Sequence, residues 1–265
     1  MAQSIVTLTT DFGTADSYVA QMKGVILATN AAARIVDVTH SVPPQDVAQA
    51  ARVLAEIVPA FPAGTIHVAV VDPGVGSRRR LLAAEAAGQR FLAPDNGLLA
   101  SVFARWSPER ICELVERRFW RDPVSATFHG RDILAPVAGH WSLGIDVAEF
   151  GPAVCRESLV SLPVSKPIRD NDGLIGRVEF ADSFGNLVTN IAATDLPGTV
   201  AWITLGGHKI NGLSRCYADV ASGTVLALIG SSGRLEMAIN GGSAANELNV
   251  VPGAEVRVTF GEPGT

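Results

Sequence analysis

Two segments of the sequence place titratable side chains beside apolar runs. Asp72 follows a long apolar run and precedes a Pro-Gly turn and three consecutive arginines, of which Arg79 is the second. His129 stands between an aromatic residue and a glycine, just before an Arg-Asp pair. Together, Asp72, Arg79 and His129 can position and polarise a water molecule. Taken one at a time, a surface ion pair and a core histidine are the commoner interpretations of these residues.

The identity of a base among these three residues stays open. An arginine side chain remains protonated in proteins and cannot accept the proton of a water molecule. Asp72 and His129 are both capable of accepting it. The sequence therefore predicts a base at one of two positions and does not choose between them.

A third group of polar residues follows the first strand-like run of the chain. Asp11 ends the β-branched segment 5–10, and Asp16 lies five residues further on. A carboxylate at a strand end can accept two hydrogen bonds from a ribose diol. The alternative is that Asp11 and Asp16 cap the helix that follows.

Polar and aromatic residues also cluster in the last third of the chain. In such a cluster, an aromatic ring can stack on a purine and an amide can bind the edge of the purine. The alternative is that these residues only form turns, in which polar residues are common. The candidates are Asp182, Phe184, Asn186, Tyr217 and Ser231.

The elements that position the first groups alternate between strand and helix. Strand-like runs at 5–10, 34–38 and 65–71 are separated by helical patterns at 17–29 and 46–58. The run 65–71 is almost continuously apolar, which is typical of the middle of a parallel sheet. Residues 1–162 are therefore predicted to form an α/β layer sandwich with a central, mostly parallel sheet. Ligands of such sheets collect at the carboxyl ends of the strands.

The pattern of helices and strands changes after residue 162. Prolines and a polar run at 163–173 indicate a linker. Beyond it, short strand patterns separated by Gly-rich turns predict a smaller all-β domain, a small barrel or sandwich, over 174–265.

Composition excludes several classes of function. The 265 residues carry a net charge of −5, so no electrostatic footprint for nucleic acid is present. The three cysteines lie far apart, which predicts neither disulfides nor a zinc site and fits a reducing cytoplasm. No signal segment and no run of roughly 18 to 20 apolar residues that could span a membrane is evident.

Six blocks of the sequence, in order and over nearly the whole chain, carry a resemblance to a known family. The blocks are TLTTDFGTADSYVAQMKG, VDPGVGSRRR, APDNGLL, FHGRDILAP, DSFGNLVTNI and SSGRLEMAINGGSA. They resemble the S-adenosyl-L-methionine hydroxide adenosyltransferases, which are related to the fluorinases and chlorinases. The resemblance implies hydrolysis of S-adenosyl-L-methionine to adenosine and L-methionine without a metal or other cofactor. It also implies an α/β N-terminal domain and a β-barrel C-terminal domain. The family forms a homotrimer whose ligand lies between the N-terminal domain of one subunit and the C-terminal domain of its neighbour.

The resemblance further implies a role for each candidate residue. Asp72, Arg79 and His129 match the catalytic triad of the hydrolases, whereas fluorinases carry a Tyr in place of Asp72 and a Tyr-Ser pair in place of His129-Gly130. This departure indicates water as the nucleophile. Asp11 matches a ribose-binding position. The methionine end matches Asp16, Asp182 and Ser231, and the adenine end matches Phe184, Asn186 and Tyr217. Ser232 stands where fluorinases have an Arg. A chloride-using adenosyltransferase and a non-catalytic binding module for S-adenosylmethionine or adenosine are the alternatives.

Overall fold

The computed structural model describes residues 4–163, 165–171 and 173–261. The chain divides into two compact units, the first ending at Leu162 and the second beginning at Pro163. Each unit has its own apolar core, so each is described by itself.

The first unit is built on a six-stranded sheet with the order β2-β1-β3-β5-β4-β6. Its strands are β1 (Ile5–Thr10), β2 (Arg34–Thr39), β3 (Ile66–Val70), β4 (Leu81–Ala86), β5 (Gln89–Pro94) and β6 (Arg110–Glu113). Strands β1, β2, β3 and β5 run parallel, and β4 is antiparallel to both β5 and β6. The predicted α/β fold with a mostly parallel sheet is therefore confirmed.

Helices cover both faces of this sheet. They are α1 (Tyr18–Thr29), α2 (Val47–Ile57), α3 (Ala100–Arg105) and α4 (Ala135–Ser142). Along β3, Val68 and Val70 join the cluster with α1 and α4, whereas Ala69 joins the cluster with α2 and α3. This alternation follows from the two-residue period of a strand. Because β3 is buried on both faces, its sequence is an almost continuously apolar run, as predicted.

The sequence patterns predict neither β6 nor α4. Strand β6 has only four residues, too few for a clear alternating pattern. Helix α4 contains Pro136 near its start and Gly139 in its interior, and both residue types disfavour helix in a sequence pattern. The proline is tolerated in the first turn, and a side chain at Gly139 would overlap Thr29 of α1. Close packing of two helices explains the glycine.

The second unit is an antiparallel sheet that follows the path β11-β10-β14-β8-β9-β13-β12. Ser214, just after β11, bridges to Leu228 of β12 and brings the two ends of the path together. The predicted barrel is therefore confirmed as nearly closed. Its strands are β7 (Ile168–Arg169), β8 (Gly173–Ala181), β9 (Leu187–Ala192), β10 (Val200–Leu205), β11 (His208–Asn211), β12 (Val225–Ile229), β13 (Arg234–Ile239) and β14 (Glu255–Phe260).

Four short elements of the second unit lie outside the predicted pattern. The sequence patterns predict neither β9 nor β11, and one short helix, α5 (Ala244–Glu247), follows β13. β7 pairs with β8 inside the segment predicted as a linker. Residues 164 and 172 of that segment lie outside the described residues.

Across the described ranges, the chain has no helix that combines the length and the apolar character needed to cross a membrane.

Candidate active site

The carboxyl end of β3 carries Asp72, the first residue of the candidate triad. The side-chain amide of Asn96 donates to the carbonyl oxygen of Val71 at 2.8 Å and fixes the chain where it leaves the strand. The loop then turns through Gly76, whose φ is 79°. A side chain at Gly76 would overlap the carbonyl oxygen of Ala126, so the glycine lets this loop lie against the segment that precedes His129.

Arg79 returns from this loop to Asp72. Its Nε lies 2.7 and 2.8 Å from the two carboxylate oxygens of Asp72, and Nη2 also donates to Oδ2. The side chains of Arg79 and Asp72 are only 8% and 6% exposed. The interpretation of this pair as a surface ion pair is therefore wrong. Burial of two charges is costly unless their geometry is good, and the forked contact supplies that geometry.

His129 completes the cluster through the same guanidinium group. Nη2 of Arg79 lies 3.0 Å from Nδ1 of His129. A guanidinium can only donate, so Nδ1 accepts and the proton of a neutral imidazole is on Nε2. Burial and the charge of Arg79 lower the pKa of His129, although Asp72 and Asp132 oppose this. The ring is therefore neutral near pH 7, with Nε2–H as its free donor.

One donor atom of the Arg79 side chain is available to a ligand. Its Nη1 atom is buried and has no hydrogen-bond partner among the residues that the structure describes. A buried guanidinium nitrogen without a partner is costly, so this atom is suited to an oxygen-bearing ligand held beside Asp72 and His129.

Asp132 is a residue whose part in building the site was not predicted. It is fully buried at the start of the helical segment after His129, where it accepts from Arg121, Arg131 and the backbone of Ser125. Burial raises the pKa of Asp132, but these hydrogen bonds and charges outweigh burial and hold it below its usual value. Asp132 therefore fixes the backbone on both sides of His129 as a structural anchor. The Arg-Asp pair beside His129 was the sequence signal for it.

The loop that carries Asp11 is joined to the His129 segment by aromatic packing. Phe12 contacts Phe128 with ring centroids 5.7 Å apart, and Tyr18 lies 5.8 and 5.3 Å from these two rings. Because Phe12 follows Asp11 and Phe128 precedes His129, this packing brings the two candidate segments to the same edge of the sheet.

Asp11 does not cap the helix that follows it. Its Oδ2 accepts from the backbone of Gln45 at 2.9 Å, and Ser17 occupies the N-cap position of α1 without a side-chain cap. Asp16 is exposed. The capping interpretation of Asp11 and Asp16 is therefore wrong, and both carboxylates are open to other partners.

His40 supports the Asp11 loop and was not predicted to do so. Its Nδ1 lies 2.9 Å from the hydroxyl of Thr10, and its carbonyl oxygen accepts from Gly13 at 2.8 Å. Its Nε2 lies 3.0 Å from Oδ1 of Asp37. This role could not be predicted from the sequence, because His40 follows a strand and Asp37 is its only close acidic neighbour in the sequence.

In the second unit, Asp182 shapes the turn between β8 and β9. Its Oδ1 accepts from the backbone of Phe184 and Asn186, and its Oδ2 accepts from the Asn186 amide at 3.0 Å. These contacts are those of an ordinary turn, as one of the two interpretations of Asp182 predicts. The ring of Phe184, which lies in this turn, is 77% exposed. Ser231 is exposed in the turn between β12 and β13.

Tyr217 and Asn186 are joined to Glu236, which the sequence analysis did not single out. Asn186 Nδ2 lies 3.4 Å from the Tyr217 hydroxyl, which donates to Glu236 Oε1 at 2.6 Å. The hydrogen bond to Glu236, with burial and the nearby negative charges, raises the pKa of Tyr217 to about 12. A glutamate in the middle of a buried strand was the available signal.

Among the described residues, no group of three or more His, Cys, Asp or Glu side chains is arranged to hold a metal ion.

The fold and the buried carboxylate–guanidinium–imidazole cluster define a two-domain α/β and β-barrel protein with a polar site at the strand ends. Models of the SAM hydroxide adenosyltransferase N-terminal and C-terminal domains match residues 6–151 and 176–257. The chain therefore belongs to the SAM hydroxide adenosyltransferase family.

Three similar proteins illustrate the range of this family. A protein from Salinispora tropica named (R)-S-adenosyl-L-methionine hydrolase is 42% identical over 97% of this chain and 98% of its own. A fluorinase from Nocardia brasiliensis is 30% identical over 97% of each chain. A crystal structure of an uncharacterized conserved protein from Thermotoga maritima has a TM-score of 0.88 and 35% identity, covering 96% of this chain and 99% of that one.

Proposed function

We propose that this protein hydrolyses S-adenosyl-L-methionine to adenosine and L-methionine. The observation that carries the proposal is the buried contact of Arg79 with both Asp72 and His129. Membership of the family, with hydrolases among the most similar relatives, supports the same reaction. The name of the Salinispora tropica relative specifies the (R) epimer, and we infer the same preference here.

The reaction is an in-line displacement at the ribose C5′. The oxygen of water forms a bond to C5′ while the bond from C5′ to the sulfonium sulfur breaks, and its electron pair remains on sulfur. One proton of the attacking water must leave. A hydroxide-like nucleophile and a sulfonium lose their opposite charges in this step, so a dry and preorganised site favours the transition state.

Asp72 is the group that accepts the proton in this proposal. Nδ1 of His129 already accepts from Arg79, so the neutral imidazole has no free acceptor nitrogen. The carboxylate of Asp72 retains lone pairs beyond those used by Arg79. Nε2–H of His129 and the unpartnered Nη1 of Arg79 then orient the water and stabilise its developing negative charge.

The remaining candidates bind the substrate. Asp11 accepts from the ribose hydroxyls through the carboxylate oxygen that Gln45 does not use. Asp16, Asp182 and Ser231 hold the methionine end. Phe184 stacks on the adenine, while Asn186 and Tyr217 bind its edge. No metal or other cofactor takes part.

The assembly is proposed to be a homotrimer with sites shared between subunits. A mixture of inactive His129→Ala and inactive Asn186→Ala proteins, after verified subunit exchange, should then recover activity. A monomeric mass in solution, or no recovery, would rule this out.

The two exposed free cysteines, Cys155 and Cys216, support a reducing cytoplasm as the compartment.

Product analysis tests the proposed reaction. The full chain is incubated with each epimer of S-adenosylmethionine, with and without a chelator, and with chloride at high concentration. The expected products are adenosine and methionine from the (R) epimer, unaffected by the chelator. Formation of 5′-chloro-5′-deoxyadenosine as the main product would indicate a halide-using transferase. Binding without any product would indicate a binding module.

A further inference from the structure

Four side chains of the second unit form a continuous chain of hydrogen bonds with a carboxylate at each end. The chain runs from Asp182 through Asn186 and Tyr217 to Glu236. An ionised carboxylate can only accept hydrogen bonds. The two ends therefore fix the direction of every bond between them.

The direction of the bonds determines which atom of Asn186 is free. Its amide nitrogen has two hydrogens, one donated to Asp182 Oδ2 at 3.0 Å and one directed to the Tyr217 hydroxyl at 3.4 Å. The remaining amide atom is Oδ1, and no described residue donates to it. Since Asn186 is only 6% exposed, its amide is held in this orientation. Asn186 therefore offers a ligand an acceptor and no donor.

The same reasoning applies to Tyr217. Its single hydroxyl hydrogen is donated to Glu236 at 2.6 Å, so the oxygen can only accept from a ligand. Glu236 is 6% exposed and lies against Gly230, where any side chain would overlap its Oε2. The carboxylate that fixes the Tyr217 hydroxyl is thus tightly enclosed.

We propose that Asp182 and Glu236 determine base specificity by orienting Asn186 and Tyr217 as hydrogen-bond acceptors. Two acceptors select a base whose edge carries an exocyclic amino group and reject a base with a keto oxygen at that position. A 6-aminopurine satisfies both acceptors, whereas a 6-oxopurine places oxygen against oxygen and leaves buried polar groups unpaired. The inference rests on the proposed function, which places the adenine at these residues.

The test compares the affinities of the full chain for adenosine and inosine by titration calorimetry. Both nucleosides lack the methionine part, so a role of Asp182 at that end does not enter the comparison. The wild-type protein should prefer adenosine by about 10- to 100-fold, the scale of one or two mismatched buried hydrogen bonds.

Two substitutions reverse the direction of the bonds. Asp182→Asn retains an acceptor for the backbone of the turn but turns a donor toward Asn186, which should rotate the Asn186 amide. Glu236→Gln replaces one carboxylate oxygen with a donor nitrogen, so residue 236 can donate to the Tyr217 hydroxyl and leave its hydrogen for a ligand. Each should lower the preference for adenosine by about tenfold. Asp195→Asn is the matched control, because Asp195 accepts from the backbone of Ala192 in the same unit and does not contact Asn186. It should keep the wild-type ratio.

A spectroscopic measurement reports on Glu236 independently of any ligand. The chain has two tyrosines, so in a Tyr18→Phe background the ultraviolet titration of phenolate belongs to Tyr217. Its pKa of about 12 should move toward 10 in Glu236→Gln, with circular dichroism monitoring the fold. A purely structural role for Glu236 would leave the nucleoside ratio unchanged.

The outcomes separate this inference from the proposed function. Equal affinities for adenosine and inosine in the wild type, or an unchanged ratio in both variants, overturn the inference even if hydrolysis occurs. If Asp182→Asn does not fold, Glu236→Gln decides. Discrimination between the nucleosides without hydrolysis overturns only the proposed function. If neither nucleoside binds, the kcat/KM values for S-adenosylmethionine and its 6-oxo analogue decide, and equal values or no turnover overturn the inference.

Discussion

The two units hold their candidate site residues in contrasting ways. In the first, the charged side chains of Asp72 and Arg79 are buried and bound to each other. In the second, Phe184 is 77% and Tyr217 42% exposed, above an enclosed polar network. A group that must stabilise a changing charge benefits from being fixed and dry, whereas a ring that stacks on a ligand must be open before the ligand arrives. The contrast predicts that substitutions in the Asp72–Arg79–His129 cluster act mainly on kcat and those at Phe184 and Tyr217 mainly on KM.

The largest effect is expected from removal of the buried charge at Asp72. Asp72→Asn keeps the shape of the side chain but removes the proton acceptor, so kcat should fall on the order of 100-fold or more. Steady-state kinetics and circular dichroism measure this. The control is Asp146→Asn, which breaks an exposed ion pair with Arg110 in the same unit and should leave kcat unchanged. Near-normal turnover by Asp72→Asn would remove Asp72 from the mechanism.

The next largest effect concerns the stability of the first unit in acid. His67 is fully buried in β3 between the hydroxyl of Thr7 and the amide of Gln89. Burial lowers its pKa to about 4, although the hydrogen bond to Gln89 opposes this. The unfolded chain, with a histidine pKa near 6.5, therefore binds the proton first, and stability is full above about pH 6.5. It should decrease by about 3 kcal/mol as the pH falls to about 4.

Hydrogen exchange followed separately in the two units checks this prediction. Protection of the first unit should weaken between pH 6.5 and 4 before that of the second, whose only histidine, His208, is exposed. His208→Gln is the control and should not alter the profile. Equal acid sensitivity of the two units would contradict the assignment to His67.

A smaller effect is the acid limb of the rate. Protonation of His129 places a hydrogen on Nδ1, which then faces the donor Nη2 of Arg79 and breaks the cluster. Since burial and Arg79 lower the pKa of His129, kcat should stay constant as the pH falls through 6.5 and decrease only below it, by about tenfold per pH unit. An inflection at or above pH 6.5 would show that His129 is not held as described.

The smallest effect is expected at the exposed ring of the second unit. Phe184→Ala removes the stacking surface and should raise KM about tenfold while kcat changes little, since stacking on one base contributes about 1–3 kcal/mol. Val251→Ala is a suitable control because Val251 is a similarly exposed apolar residue, at 68%. A fall in kcat at constant KM would place Phe184 in the chemical step and remove the contrast between the units.

Much of the fold could be predicted because its elements carry strong local patterns. The nearly continuous apolar run of β3 predicted a central parallel strand, and the Gly-rich alternation beyond residue 173 predicted an all-β domain, whose barrel form followed from the family resemblance. β6 and α4 could not be predicted, since one is too short for a period and the other contains Pro136 and Gly139, whose tolerance depends on tertiary packing.

The candidate site was predictable as a set of residue types and not as a geometry. Arg79 and His129 lie 50 positions apart in the sequence. Their contact depends on Gly76 and on the loop that Asp132 anchors. From the sequence, Asp72 and Arg79 were expected to form a surface ion pair. The pair is buried because its loop packs against the segment that precedes His129. Glu236 was missed because its importance comes from its hydrogen bond to Tyr217, which no sequence spacing reveals.

The central claim is that water attacks C5′ at the buried Asp72–Arg79–His129 cluster. Its most direct test is the reaction of the full chain with S-adenosyl-L-methionine in heavy-oxygen water, with mass spectrometry of both products. The account predicts one labelled oxygen in the 5′-hydroxyl of adenosine and none in methionine. Adenosine that carries no label, or label found in methionine, would contradict attack by water at C5′.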